Sequence, residues 1–296
     1  MSVLRTCVLL GSLLGCLLGL GCEDSKGDSG GTTSGDGEDS GSPSALDGCR
    51  EGTTDGADTL PPASVDVDAG SFTMGSPEGE PAAREVTLTH PLTVFVHELS
   101  QAQWQQLMGT NPAANSTCPT CPVEQVSWHQ AVAFAEALNI SEGREACAAC
   151  TGDGEAVECV PIGDPTACSG WRLPTEAEWE YLARAGSTTA YAGSDTIEDV
   201  GWTVENVGST CPVGQLGANA WGLHDLSGNV WEWVHDGHAA APTGTIDPTG
   251  DDTATERGVR GGSYFNSADS AKVWVRRGVD PATPSPFQGF RLVRSR

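Results

Sequence analysis

Three groups of residues in this 296-residue chain have the types and spacing that chemistry would need. The first lies in "RGVRGGSYFNSADSAKVW" (257–274), where a glycine-punctuated turn should present Ser263 and Tyr264 as exposed side chains. A serine nucleophile of the strand–turn–helix kind needs a G-x-S-x-G elbow and a placed histidine. "GGSYF" lacks the second glycine, so hydrolysis at Ser263 is not expected. The second group is His224, His235 and His238, close together in sequence. Their spacing matches no i,i+4 zinc pattern, and they read as surface or packing histidines. The third group is cysteine. "CPTC" (118–121) and "CAAC" (147–150) look like the two halves of a zinc ribbon.

The compartment decides how the cysteines are read. The chain opens "MSVLRTCVLLGSLLGCLLGLGC", with one positive charge followed by a short apolar run ending in small residues. That is the pattern of a secretory signal, and the run is too short and too rich in glycine for a membrane-spanning helix. Cys22, followed at once by polar "EDSKGDSGG", suits the lipidated cysteine of a bacterial lipoprotein. Cys16, in "LLGC", is the alternative, but the apolar run would then continue past the cleavage point. The chain is expected in the bacterial cell envelope, lipid-anchored on the periplasmic or outer side. In an oxidising compartment loops are stapled by disulfides, so Cys49, Cys118, Cys121, Cys147, Cys150, Cys159, Cys168 and Cys211 are read as disulfide partners in preference to zinc ligands. Cys147, Cys150, Cys159 and Cys168 should pair among themselves within an acidic, Gly-rich insertion at 141–170.

Composition sets the domain limits and excludes some partners. Residues 23–62 are Gly, Ser, Thr and Asp with little to bury, and read as a disordered acidic tether after a 1–22 signal. Every Trp, Tyr and Phe lies between Phe72 and Phe290, so the folded domain is placed at 63–296. Of the formal charge of −25, ten acids and two bases put −8 on the tether and Arg5 adds +1, leaving −18 on the domain. A surface so acidic repels nucleic acid and anionic headgroups, so no nucleic acid is expected as partner, and the membrane is met only through the anchor.

The elements that must position any site are short. Gly, Pro, Asn and Asp punctuate the chain every few residues, the pattern of a loop-rich α+β domain with short strands. Two helices stand out. In "VSWHQAVAFAEALN", Ser127 and Gln130 make a capping box, and Val132, Ala135 and Leu138 share a face. In "RLPTEAEWEYLARAG", Thr175 and Glu178 make the box, Trp179, Leu182 and Ala183 form the apolar stripe, and Gly186 sits at the C-cap. Glu180 and Arg184 add an i,i+4 pair. The polar residues of both helices read as capping or solvated. Trp231 and Trp233 flank Glu232 with strand-like alternation, and are expected to pack on different faces of the fold.

Six segments occur in a specific order: "GSFTMGS" (70–76), "PVEQVSWHQAVAFAEALN" (122–139), "WRLPTEAEWEYLARAG" (171–186), "GLHDLSGNVWEWVHD" (222–236), "VRGGSY" (259–264) and "GFRLVR" (289–294). Together they resemble the formylglycine-generating enzyme family, the sulfatase-modifying factors. The resemblance implies a compact α+β, loop-rich, C-type-lectin-like fold. It also implies an enzyme that oxidises a sulfatase cysteine to formylglycine with oxygen and copper(I), the metal held by two thiolates. The positions matching those thiolates are Asn266 and Ala271, and no cysteine follows Cys211. An amide oxygen and a methyl group are not ligands for a soft cation, so neither copper nor the family's catalysis is expected.

The resemblance assigns a pocket to Ser263, Trp231 and Asn266. It also assigns one calcium ion to the side chains of Asp225 and Glu232 with the backbone carbonyls of Gly228 and Val230, a hard-oxygen set in a tight turn. A second family calcium site, in the divergent stretch 205–217, is not carried over. The expected function is an exported, lipid-anchored domain that binds a glycan, a peptide or a protein partner. The alternative is a divergent formylglycine-generating oxidoreductase, or another reaction in the same pocket. Thiol titration of the denatured, unreduced chain checks the cysteine reading. The eight cysteines should yield no free thiol, and a zinc chelator should change nothing.

Overall fold

The computed structural model describes residues 48–49, 56–77, 79, 81–251 and 253–296, and the lipidation candidates Cys16 and Cys22 lie outside that set. In chain order, the first strands are β1 (Ser64–Val67), β2 (Gly70–Met74), β3 (Arg84–Leu88) and β4 (Leu92–Phe95). Helices α1 (Gln101–Met108) and α2 (Trp128–Glu142) follow, then the hairpin β5 (Ala148–Thr151) and β6 (Glu158–Pro161). Next come α3 (Glu176–Arg184) and the single turn α4 (Ile197–Val200). The chain closes with β7 (Trp231–Gly237), β8 (Arg257–Arg260), β9 (Arg276–Val279), β10 (Gln288–Gly289) and β11 (Val293–Ser295).

Strands β1, β4 and β11 make one antiparallel sheet, in which β4 lies between the first strand and the last. A second sheet runs β10-β7-β8-β9, with only the β10–β7 pair parallel. This is the loop-rich α+β architecture the sequence implied. No helix among the described residues is long and apolar enough to cross a membrane.

Helix α2 starts where its capping box places it. Ser127 Oγ accepts from Gln130 N at 3.1 Å and Gln130 Oε1 from Ser127 N at 2.9 Å. Helix α1, not anticipated above, has the same Ser-x-x-Gln box at Ser100 and Gln103, and ends on Gly109 at φ 77°. Helix α3 departs from expectation twice. Its left-handed cap is Ala185, with φ 44°, one residue before Gly186. More importantly, Glu176, Glu178 and Glu180 are wholly buried and Arg184 nearly so; none is solvated.

Buried carboxylates are tolerable only when paired and hydrogen-bonded. Arg172 grips Glu178 with two nitrogens at 2.7 and 2.8 Å. Glu180 takes Arg184 at 2.7 Å and Arg260 at 2.8 Å. Glu176 takes Arg276 at 2.7 Å through two nitrogens and Arg260 at 3.3 Å. Burial works against both Glu176 and Glu178, but the neighbouring cations outweigh it and hold each carboxyl well below the ordinary range.

All eight described cysteines form disulfides: Cys49–Cys211, Cys118–Cys121, Cys147–Cys168 and Cys150–Cys159. The last two staple the insertion internally, as anticipated. The first corrects the domain boundary drawn at 63. Cys49 is bonded to the domain, Ala57 is wholly buried, and Gln103 Nε2 donates to the carbonyls of Gly56 at 3.0 Å and Thr59 at 3.1 Å. Leu60 is the large apolar side chain this stretch packs on the core, and its backbone carbonyls accept from α1 and help order it. Replacing Arg260 by Met should cost about 3–5 kcal/mol in denaturant unfolding, because Glu176 and Glu180 lose a buried partner. Adding Glu176→Gln and Glu180→Gln should recover part of that loss.

Candidate functional site

Strand β8 delivers the chain from Arg260 into a turn that only glycine could make. Gly261 and Gly262 have φ 91° and 76°, in the left-handed region. A Cβ on Gly261 would stand 3.1 Å from Trp179 Cζ2, and one on Gly262 3.0 Å from the Ala271 backbone. The turn therefore lies flat between a core indole and the returning chain. It carries Ser263 inward: the side chain is buried, not exposed as the sequence suggested.

Ser263 and Trp231 converge on Asn266. The Ser263 hydroxyl donates to Asn266 Oδ1 at 2.7 Å, and the Trp231 indole N–H donates to the same oxygen at 2.8 Å. Because the indole nitrogen can only donate, it fixes which end of the amide faces inward. The Asn266 N–H also donates to the Ser263 carbonyl at 2.9 Å. The three residues are thus joined by hydrogen bonds. Outside them lies an aromatic group. Phe265 is 62% exposed, and its ring stacks on Phe287 at 4.8 Å, with Tyr264 at 5.6 Å from Phe287.

Ala271 faces elsewhere: wholly buried, it packs with Tyr191, Ile197 and Val200, and its carbonyl accepts from Ser227 Oγ at 3.0 Å. Neither Asn266 nor Ala271 offers a soft ligand, so these positions do not fit copper(I). The histidines play packing roles. His224 Nδ1 lies 2.9 Å from the Leu216 carbonyl, and burial with two nearby arginines lowers His235 to about 4.

Trp231 and Trp233 share one face of β7 and one apolar core, since residues two apart on a strand point the same way. The expectation of different faces is corrected. Glu232 takes the opposite face, and both its oxygens are committed. Arg291 Nη2 donates to Oε1 at 2.6 Å, Arg291 Nε bridges both oxygens at 2.8–2.9 Å, and Trp179 Nε1 donates to Oε2 at 2.7 Å.

Close by is Glu98, a fully buried carboxylate that the sequence analysis missed. Its oxygens accept from Val230 N at 3.0 Å and Asn229 Nδ2 at 2.7 Å. Burial and the charges of Asp225 and Glu232 push its carboxyl well up. A lone Glu two residues before a helix cap has no spacing that would single it out. Asp225, at φ 60°, accepts from Gly214 N at 2.6 Å through Oδ2, while the buried Oδ1 has no hydrogen-bond partner among the described residues.

A profile of the sulfatase-modifying factor enzyme 1-like domain matches residues 52–296. The chain belongs to this family. It is 30% identical over 285 residues to "Chaperone protein LppX" of Paenibacillus barcinonensis, covering 85% of this chain and 96% of that protein. It is 28% identical over 281 residues to "Inactive C-alpha-formylglycine-generating enzyme 2" of Mus musculus, covering 79% and 86%. Among solved structures, Treponema denticola variable protein 1 superposes with a TM-score of 0.71 at 28% identity, over 78% of this chain and 94% of that one. The profile match begins at residue 52, which agrees with a domain that starts before residue 63.

The calcium set that the family implies is assembled only in part. Glu232 is committed to Arg291 and Trp179, and among the described residues no three His, Cys, Asp or Glu side chains converge as a metal site. The unpaired Oδ1 of Asp225 is the oxygen suited to a hard cation, with the carbonyls of Gly228 and Val230 in the same turn. If calcium occupies this turn, it should raise the melting temperature, EDTA should lower it, and Asp225→Asn should abolish the response. Glu232→Gln should destabilise by about 3–5 kcal/mol whether or not calcium is present, since it strands Arg291. A wild-type melt indifferent to both reagents removes calcium from this turn.

Proposed function

We propose that this member of the sulfatase-modifying factor family is a lipid-anchored envelope protein that binds a glycan, peptide or protein at the Asn266 face without oxidising it. One observation carries the reading. Asn266 Oδ1 accepts from both Trp231 and Ser263, so a neutral amide closes the position where the family resemblance would put a thiolate. The eight described cysteines are spent in disulfides, and none lies in the 263–274 loop.

With Oδ1 accepting from two donors, the side-chain hydrogen-bonding capacity left to Asn266 is that of its two N–H donors, and the preceding residue is the exposed Phe265. Aromatic surface beside a fixed donor is how ligand sites orient a partly apolar group that carries an acceptor. The exported location is supported by the disulfides, which persist in oxidising compartments. Similarity to a relative whose printed name calls it inactive agrees with binding in place of catalysis.

The test is oxygen uptake and aldehyde formation on a cysteine-containing sulfatase peptide with copper added. No turnover above that of copper alone is expected, and Asn266→Cys by itself should not restore any, because Ala271 supplies no second thiolate. Robust turnover by the wild-type chain would replace this reading with the oxidoreductase one.

A further inference from the structure

The insertion has a consequence away from the Asn266 face. Hairpin β5–β6 and α1 both pack against α2, and residues of all three line a groove of about 500 Å³, a volume that suits a ligand site. Trp104 and Met108 of α1, Ala133 and Ala137 of α2, and Val157 before β6 give it an apolar lining. Ile140, 81% exposed, stands at its edge. The Cys150–Cys159 disulfide joins the two hairpin strands directly behind it, so the wall is pre-formed.

Two further features say what should lie there. First, the Trp104 side chain lines the groove, and its indole N–H is buried with no acceptor among the described residues. An unpaired buried donor is costly, and a ligand bringing a carbonyl oxygen would satisfy it. Second, the lining is acidic and has no base. Buried Glu136, whose Oε1 already accepts from Cys147 N and Ala148 N, and the exposed Asp153 belong to it, and residues 141–170 carry six acids against the single Arg144. An amphipathic peptide offers the matching chemistry: a backbone carbonyl for Trp104, an aliphatic side chain for the groove, and Lys or Arg for the rim. A purely apolar occupant, such as an acyl chain, would leave the acidic rim unmatched.

We propose that the groove between α1, α2 and the insertion hairpin docks a basic, aliphatic peptide segment of a partner protein. The probe is a fluorescein-labelled twelve-residue peptide of alternating Lys and Leu, titrated into the full chain, with the Glu/Leu peptide as control. The Lys/Leu peptide should bind and the Glu/Leu peptide should not. Ala137→Trp, which fills the groove, should weaken binding by about tenfold. Trp104→Phe keeps the ring but removes the donor, and should weaken it several-fold, by about 3–10 times.

Phe265→Ala, at the separate Asn266 face, should leave the affinity unchanged, which keeps this proposal distinct from the function proposed above. In the indole region of an NMR spectrum, the Nε1–H signal missing from Trp104→Phe should move on titration. Melting temperatures near wild type would show that both groove variants fold. Binding unaffected by Ala137→Trp, or an unmoved Trp104 signal, overturns the proposal. So does a dimer or an acyl-lipid complex of the wild-type chain that Ala137→Trp abolishes.

Discussion

Arg260 is the residue on which the rest of this molecule leans. It is wholly buried, and it joins the two acidic turns of α3 to the end of β8 by reaching Glu176, Glu180 and the Val273 carbonyl. Its guanidinium also lies 5.1 Å from the Trp179 ring centroid. Such pairs add little net stability, because removing the charges from water costs about as much as their attraction returns. What they impose is position. A buried guanidinium surrounded by two carboxylates and a carbonyl has one acceptable place, and the next residue in the chain is Gly261. The turn that carries Ser263 and Asn266 is therefore set by charges on a helix well before it in sequence.

A second ionic centre fixes the other side of the same turn. Glu232 is held by Arg291 and by Trp179, the indole against which Gly261 lies. Burial works against the Arg291 charge, yet Glu232 outweighs it and raises the guanidinium above its ordinary value. With α3, β7 and β8 tied together in this way, the Gly-Gly-Ser turn does not need a metal or a thiolate to hold its shape. That is a physical reason why a family member can keep the turn, put an amide in it, and stay folded.

How much of this could be read in the sequence depended on range. Capping boxes at Ser127 and Thr175 are local hydrogen bonds between residues three apart, and both were legible. The box at Ser100 was legible by the same rule and was overlooked. Gly261 and Gly262 identified themselves as a turn, and the eight cysteines after Cys22 pointed to disulfides. The misreadings came from long-range pairing. Glu176, Glu178 and Glu180 look solvated on a helical wheel, and only the positions of Arg172, Arg260 and Arg276 bring them inside. Glu98 and Arg291 meet Asp225 and Glu232 across the fold, with no periodicity to announce them. Residues 56–62 look like linker because composition registers side chains, whereas their ordering comes in part from carbonyls accepting from Gln103.

The interior holds charge of both signs. Arg172, Arg184, Arg260 and Arg291 are all buried, at most 7% exposed, in a chain with only 15 lysines and arginines. Each is held by a carboxylate that would otherwise stand unpaired inside. Acids are buried in greater number, with Glu98, Glu124, Glu136, Asp225 and Asp236 inside beside the paired Glu176, Glu178, Glu180 and Glu232. The exterior is therefore acidic because the chain is, and the burial of these bases does not make it more so. The same exterior favours cationic partners at any apolar opening it surrounds, including the groove beside the stapled hairpin.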